Sequence, residues 1–276
     1  MASLAVLIQT HLLAGGWPQD KKTGYLKLGQ TGIIATSYFD VDGTQVPIRT
    51  LGNYTTYLYG EYGVTSRITV LGFIPFYVRN TFNETVDANT GTVIEPGGLN
   101  QAFGDTDLGL RIGLLRKGPF VLSLGLLAGL PTGQADSEIG LPTGDGEFNQ
   151  LVKLEAGISL PKNMYATAAL GFNNRTQNFS DEIRYEAEWG FQPAKKLWAI
   201  LKLSGIQPIN NGDAAVAGGP NGLFANRVQY MAFGPEVSYN VSRQWGVTGS
   251  VFGAFAIKNA LGAPSLNVGV FYTPGK

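Results

Sequence analysis

The stretch GDTDLGLRIGLLRKGPFVLSLGLLAGLPTG, residues 104–133, contains two runs in which apolar residues alternate with small or charged ones. From Leu108 to Leu114 every second residue is aliphatic, and after a short basic segment the alternation resumes from Phe120 to Leu130. A period of two residues indicates β-strands, and two such runs joined by a short turn predict a hairpin. In a soluble sheet the aliphatic face would be the core, whereas in a membrane barrel it would face lipid and the small, charged face would line the interior.

The composition narrows this choice. Charged residues make up 14% of the 276 residues, against roughly 25% in average soluble domains. Lys plus Arg equals Asp plus Glu at 20 each, so no charge imbalance points to nucleic acid, and no nucleic-acid partner is expected. No apolar run reaches the roughly 18 residues of a transmembrane helix, but barrel strands need only about 9–11 residues each. The composition is therefore compatible with a barrel that crosses a membrane.

The first 14 residues, MASLAVLIQTHLLA, are mostly apolar and precede Gly15 and Gly16. This segment is similar to the apolar region of a secretory signal, with Ala14 as the cleavage position. A first core strand or helix of a soluble protein is the alternative. The predicted organisation is a signal segment at residues 1–14 followed by one barrel domain at residues 15–276.

Strand-like runs recur along the whole chain, and no stretch shows an apolar period of 3.6 residues over a helical length, so the chain is predicted to be all-β. The bounds of twelve predicted strands are 24–38, 53–62, 67–80, 104–115, 119–130, 149–160, 164–177, 182–192, 197–206, 226–240, 245–257 and 265–273.

The connections between these strands alternate in length. One set consists of turns at 63–66, 116–118, 161–163, 193–196 and 241–244, and the other of mostly longer segments at 39–52, 81–103, 131–148, 178–181, 207–225 and 258–264. An outer-membrane barrel has this arrangement, with short periplasmic turns and long extracellular loops. The predicted fold is a single antiparallel transmembrane barrel of about twelve strands. In strand 226–240 the alternation shifts at Gly234 and Pro235, which predicts a bulge.

Three motifs carry a resemblance to a known family. They are the turn YGVTSR at 62–67, the segment GDTDLGLR at 104–111, and two copies of LPTG at 130–133 and 141–144. In order and spacing they resemble the outer-membrane barrels of the transporter family named for the meta-pathway of phenol degradation, over residues 20–276. The resemblance implies an outer-membrane barrel that passes hydrophobic or aromatic compounds, and it supplies no catalytic residues.

The charged residues at the predicted inward positions are the candidate functional residues. They could form a constriction that selects solutes, or they could neutralise one another and fill a closed barrel. Arg111 would be central to either arrangement. The lumen-lining candidates are Asp105, Asp107, Arg111, Lys153, Glu155, Arg175, Arg184, Glu186, Glu188 and Lys202.

Catalysis is not expected. The single histidine, His11, lies in the predicted signal segment, and the chain has no cysteine. Without these residues, serine–histidine and cysteine–histidine sites and histidine-ligated metals are excluded from the mature chain. Asp/Asn-Gly segments at 39–43 and 87–91 are too short for an EF-hand, and they are predicted to be turns. No cofactor or metal is therefore expected.

The sequence thus predicts a bacterial outer-membrane channel or transporter for small solutes. Passage would occur by passive diffusion through a charge-lined lumen, gated by loops such as 81–103 and 207–225. The expected partners are outer-membrane lipid, the solute and, during biogenesis, the barrel-assembly machinery. Two alternatives remain: a closed barrel with partner-binding loops, and a soluble β-sandwich binding protein.

Overall fold

A computed structural model describes residues 15–214 and 222–275. The predicted signal segment 1–14 therefore lies outside the described residues, as does part of the predicted loop 207–225. The strands are β1 (Gly24–Phe39), β2 (Gln45–Gly63), β3 (Ile68–Phe82), β4 (Thr85–Val86), β5 (Val93–Glu95), β6 (Gly98–Ala102), β7 (Thr106–Lys117), β8 (Phe120–Leu130), β9 (Asn149–Leu160), β10 (Met164–Arg175), β11 (Glu182–Ala194), β12 (Leu197–Pro208), β13 (Gln229–Asn240), β14 (Trp245–Lys258), β15 (Ala260–Leu261) and β16 (Ser265–Tyr272).

Twelve of these strands form a closed ring in which every neighbour is antiparallel. The last strand, β16, pairs with β14 on one side and with β1 on the other, where Tyr272 lies opposite Leu26. This pairing leaves no free edge along the ring, as a barrel in lipid requires. The predicted twelve-stranded antiparallel barrel is confirmed, and the soluble sandwich is wrong. Two short strands lengthen the wall. Strand β6 pairs with β3 beyond the residues that pair with β7, and β15 pairs with β1 beyond the residues that pair with β16.

The two faces of the wall differ as the alternation predicts. On β9, Val152 and Leu154 are exposed, whereas Lys153 and Glu155 are buried inside the barrel. Similar exposed aliphatic residues occur on strands around the whole ring, which gives the outside the apolar band of an outer-membrane barrel. Examples are Leu26, Leu28, Leu58, Val70, Leu108, Leu110, Leu170, Leu201, Val237, Val251, Leu266 and Val268. No helix in the described part of the chain is long and apolar enough to cross a membrane.

All strand connections alternate between the two ends of the barrel. The turn end carries the five short connections 64–67, 118–119, 161–163, 195–196 and 241–244. The opposite loop end carries 40–44, 83–105, 131–148, 176–181, 209–228 and 259–264, with the small strands β4, β5, β6 and β15 inside two of them.

The loop predicted at 39–52 is shorter in the structure, because β2 starts at Gln45. Its first residues pair with the end of β1, with Val46 opposite Tyr38. The Asp40 carboxylate closes the turn by accepting the backbone N–H groups of Asp42 and Thr44. At the other Asp-Gly segment, backbone N–H groups and the Thr90 hydroxyl bond to Asp87 and lower the pKa of its carboxyl. Both segments are turns.

The bulge predicted at Gly234 and Pro235 is wrong. The register of β13 with β12 is continuous through these residues, and its register with β14 is the same before and after them. The irregularity of β13 lies instead between Gln229 and Met231. Glycine is needed at 234 for a different reason: a Cβ there would lie 1.9 Å from the carbonyl oxygen of Val251 on β14. The alternation of buried and exposed residues continues through this position, so Gly234 marks a close backbone approach without a bulge.

Candidate functional site

The barrel interior contains three groups of ion-paired side chains, and the first surrounds Arg111 near the turn end. The Arg111 Nε lies 2.7 Å from Glu155 Oε2, and its Nη1 lies 3.2 Å from Glu61 Oε2. Lys153 Nζ lies 2.9 Å from the other oxygen of Glu155, and the Tyr59 hydroxyl donates to Glu61. All of these side chains are buried. Each charged group has a direct partner of opposite charge, as buried charges require.

The second group surrounds Lys202 on β12. Its ammonium lies 2.8 Å from Glu236 Oε1 and 3.5 Å from Glu188 Oε2. Lys27 reaches the other oxygen of Glu236 at 3.9 Å, and the Tyr165 hydroxyl donates to Glu188. This group therefore links β1, β10, β11, β12 and β13 across the interior.

The third group surrounds Arg175 at the loop end. Its Nε lies 2.7 Å from Glu147, and its two terminal nitrogens each lie 2.8 Å from a carboxylate, Nη1 from Glu182 and Nη2 from Asp145. Arg184 also binds Glu182, at 2.9 Å. Burial raises the pKa of the Glu147 carboxyl above its ordinary value, although Arg175 opposes this effect. The loop 131–148 is thus joined to the strands through carboxylates.

Asp105 lies between β6 and β7, where it binds the loop 131–148. Its two carboxylate oxygens accept the backbone N–H groups of Gly133 and Asp145, each at 2.8 Å. The Thr143 hydroxyl donates to the carbonyl of Phe103, at 2.7 Å. The GDTD segment and both LPTG copies therefore meet at one place. The second copy lies within the loop and does not start β9.

An apolar cluster closes part of the loop end. Two loop residues, Leu141 and Leu223, are fully buried within it. They pack against inward-facing side chains of the first three strands and of the segment that joins β14 to β16. The other buried members are Ile33, Ala35, Leu51, Phe82, Leu261 and Ala263.

Residues 15–19 lie against the inner wall at the turn end, which the sequence did not predict. The Ser123 hydroxyl donates to the carbonyl of Gly16, at 2.6 Å, and the Gln19 side-chain amide donates to Glu61, at 2.8 Å. The Trp17 ring contacts Tyr165 edge-on, with the ring centroids 6.0 Å apart. This segment, which we call the N-terminal strap, therefore narrows the turn end and contacts the Arg111 group.

A chamber lies between the apolar cluster and the strap. It consists of two adjoining cavities of about 80 and 130 Å³, whose shared lining includes Asp107, Arg184 and Tyr230. Leu127 and Phe252 contribute to its apolar wall. Its charged lining comprises six acidic and three basic residues, namely Asp105, Asp107, Asp145, Glu182, Glu186, Glu188, Arg175, Arg184 and Lys202.

Seven of the ten candidate residues line this chamber, whereas Arg111, Lys153 and Glu155 lie in the buried group outside it. The candidates omitted six further interior charges, and two of these could have been found from the sequence. The alternation of the predicted strands 24–38 and 53–62 places Lys27 and Glu61 on the inner face. Asp145 and Glu147 belong to a loop, where no periodicity marks the direction of a side chain. The further interior charges that the candidates omitted are Lys27, Glu61, Asp145, Glu147, Glu182 and Glu236.

Basic residues are concentrated at the turn end. Among them, Arg116 lies 3.7 Å from Asp20, and the side chains of this ion pair are both exposed. We call the set of exposed bases at this end the basic collar. Its described members are Lys21, Lys22, Arg67, Arg116, Lys117, Lys162, Lys195, Lys196 and Arg243.

Residues 31–267 match a family model described as "Putative MetA-pathway of phenol degradation". The chain belongs to this family. Its fold, its family and its apolar outer face make it a protein of the bacterial outer membrane. No curated protein matches the chain.

Solved structures share the fold of this family member. The COG4313 outer membrane channel from Pseudomonas putida F1 is 13% identical, with a TM-score of 0.65 over 94% of this chain and 97% of that one. The KdgM porin in complex with disordered oligogalacturonate is 7% identical, with a TM-score of 0.52 over 89% and 98%. The NanC porin is 10% identical, with a TM-score of 0.52 over 90% and 98%. The family member therefore has the fold of outer-membrane channels.

Proposed function

We propose that this protein is an outer-membrane channel through which small, partly apolar solutes diffuse passively. The observation that carries the proposal is the chamber, in which charged side chains face apolar ones such as Leu127 and Phe252. Pockets that bind small organic molecules combine mostly apolar walls with a few polar groups. The family's description, which names phenol degradation, supports aromatic or hydrophobic compounds as the solute class.

The charges of the chamber indicate which solutes it favours. Six acidic residues against three basic ones leave a negative excess in a cavity with low-dielectric walls. Such a cavity concentrates cations and repels anions. We therefore expect uncharged and cationic solutes to pass more readily than carboxylates.

The barrel is narrowed at both ends. The apolar cluster with Leu141 and Leu223 narrows the loop end, and the N-terminal strap narrows the turn end. We propose that the loop 131–148 and the segment 222–228 gate entry and that the strap gates exit. No step needs a nucleophile or a cofactor, and we propose no enzymatic activity.

The same closures favour a second candidate, a barrel with a filled interior whose loops bind a partner. Three ion-paired groups cross the interior, and cross-strand pairs of opposite charge stabilise neighbouring strands. In that case the chamber would be an enclosed cavity through which no solute passes.

Conductance of the full chain in planar bilayers separates the two candidates. The channel predicts discrete current steps in potassium chloride, and it predicts block by benzylamine or benzyl alcohol at lower concentrations than by benzoate. Swelling of protein-containing liposomes in the same three solutes measures their permeation directly. A heat-modifiable, folded barrel that gives neither current nor swelling would refute the channel and support the closed barrel.

A further inference from the structure

The basic collar surrounds the turn end of the barrel. Each of the five turns contains or adjoins at least one of its residues, and all nine are exposed. The neighbouring strand ends belong to ten of the twelve ring strands, so these positive charges follow most of the circumference. We infer that the collar binds the anionic headgroups of phospholipids in the leaflet that surrounds the turn end.

The collar concentrates positive charge at one end of a chain whose net charge is zero. Lys plus Arg and Asp plus Glu are 20 each, yet Asp20 is the one acidic residue that the described part of the chain exposes at the turn end. The remaining acids lie inside the barrel or at the loop end. Charge is therefore separated along the barrel axis, with the positive side at the turns.

The position of the collar fits the lipid headgroups. Exposed aromatic side chains lie at or near the strand ends beside the collar, and examples are Tyr62, Phe120 and Trp189. Trp245 and Tyr272 pack together there, with their ring centroids 4.8 Å apart. Aromatic residues of membrane proteins lie at the headgroup level, and long basic side chains near them reach lipid phosphates.

The bases of the collar lie around most of the barrel, and this distribution favours lipid over a protein as the partner. An acidic protein would dock on one side of the turn end and leave the bases on the other side without a counter-charge. Lipid headgroups lie next to every turn at the same time. Because the collar side chains are exposed and remote from the chamber, this inference does not depend on the proposed transport.

Lipid selectivity can be measured by fluorescence quenching of the full chain in vesicles. The vesicles contain phosphatidylcholine and phosphatidylglycerol, with bromine atoms on the acyl chains of one lipid. Trp189 and Trp245 are exposed on the outer face near the turns and report on adjacent lipid. We expect phosphatidylglycerol to bind several-fold more strongly than phosphatidylcholine, with a smaller preference in 0.5 M sodium chloride.

The variant K117Q/K162Q/K195Q/K196Q should reduce this preference, because it removes four of the nine exposed charges of the collar. A control variant, R49Q/R79Q/K258Q, neutralises bases at the loop end and should keep the preference. Equal binding of the two lipids by the native chain would overturn the inference, and so would a preference that the collar variant leaves unchanged. The equal-binding result is also what an acidic protein partner would predict.

Discussion

Arg111 and Glu155 form an ion pair across an intervening strand. The Nε and Oε2 atoms are 2.7 Å apart, although the residues lie on β7 and β9, with β8 between them. Gly125 on β8 lies opposite Arg111 on one side and Lys153 on the other. A Cβ at Gly125 would lie 2.9 Å from Lys153 Cγ, so the glycine leaves the space in which the charges meet.

Replacing Arg111 by Met should destabilise the barrel by about 3–5 kcal/mol, because Glu61 and Glu155 would stay buried without their cation. Urea unfolding in lipid vesicles, followed by tryptophan fluorescence, measures this free energy. The control is Arg116→Met on the same strand, whose side chain is 69% exposed against 0% for Arg111. The control should change stability by less than about 0.5 kcal/mol. Equal effects of the two substitutions would contradict the structural role of the Arg111 group.

Leu141 and Ile139 provide a matched pair for the loop-end closure. Both lie in the loop 131–148, but Leu141 is fully buried and Ile139 is 47% exposed. Leu141→Ala should lower the free energy of unfolding by about 2–5 kcal/mol by leaving a cavity in the apolar cluster. It should also increase the fraction of time that the channel is open in planar bilayers, because the cluster holds the loop in place.

The substitution Ile139→Ala should leave both the unfolding free energy and the open fraction close to those of the native chain. If Leu141→Ala loses stability but its currents match the native ones, the cluster is structural and the gate lies elsewhere.

The sequence predicted the barrel and the inner face of its strands because both depend on a local period of two residues. Lys153 and Glu155 could be placed inside in this way. Contacts between distant segments could not be predicted, because alternation gives direction but not register. Neither the meeting of Asp105 with Gly133 and Asp145 nor the place of Trp17 against Tyr165 has a local signal. The excess of acidic residues inside the barrel could not be predicted either. The ten candidates contain five acids and five bases, and the interior charges that they omit are mostly acidic.

Trp17 tests the strap as the turn-end closure. Trp17→Ala should increase the single-channel conductance, because the ring that packs on Tyr165 and over Gly157 would no longer narrow the turn end. Trp245→Ala is the control: this ring is exposed on the outer face and should not change the conductance. An unchanged conductance in Trp17→Ala, with a functional native channel, would show that the strap does not limit the flow.

Glu186 tests the contribution of the chamber charges to selectivity. Its side chain is 34% exposed, and its ion-pair partner Lys153, at 3.4 Å, is closer to Glu155. Glu186 should therefore contribute more uncompensated negative charge than Asp145 and Glu182, which each lie 2.8 Å from Arg175. In a potassium chloride gradient, the native channel should give a reversal potential of the sign that shows preference for potassium over chloride. Glu186→Gln should move the permeability ratio toward one, while Glu95→Gln, an exposed substitution at the loop end, should change it less because salt screens exposed charges. A native channel that prefers chloride would refute the charge argument while leaving the channel itself established.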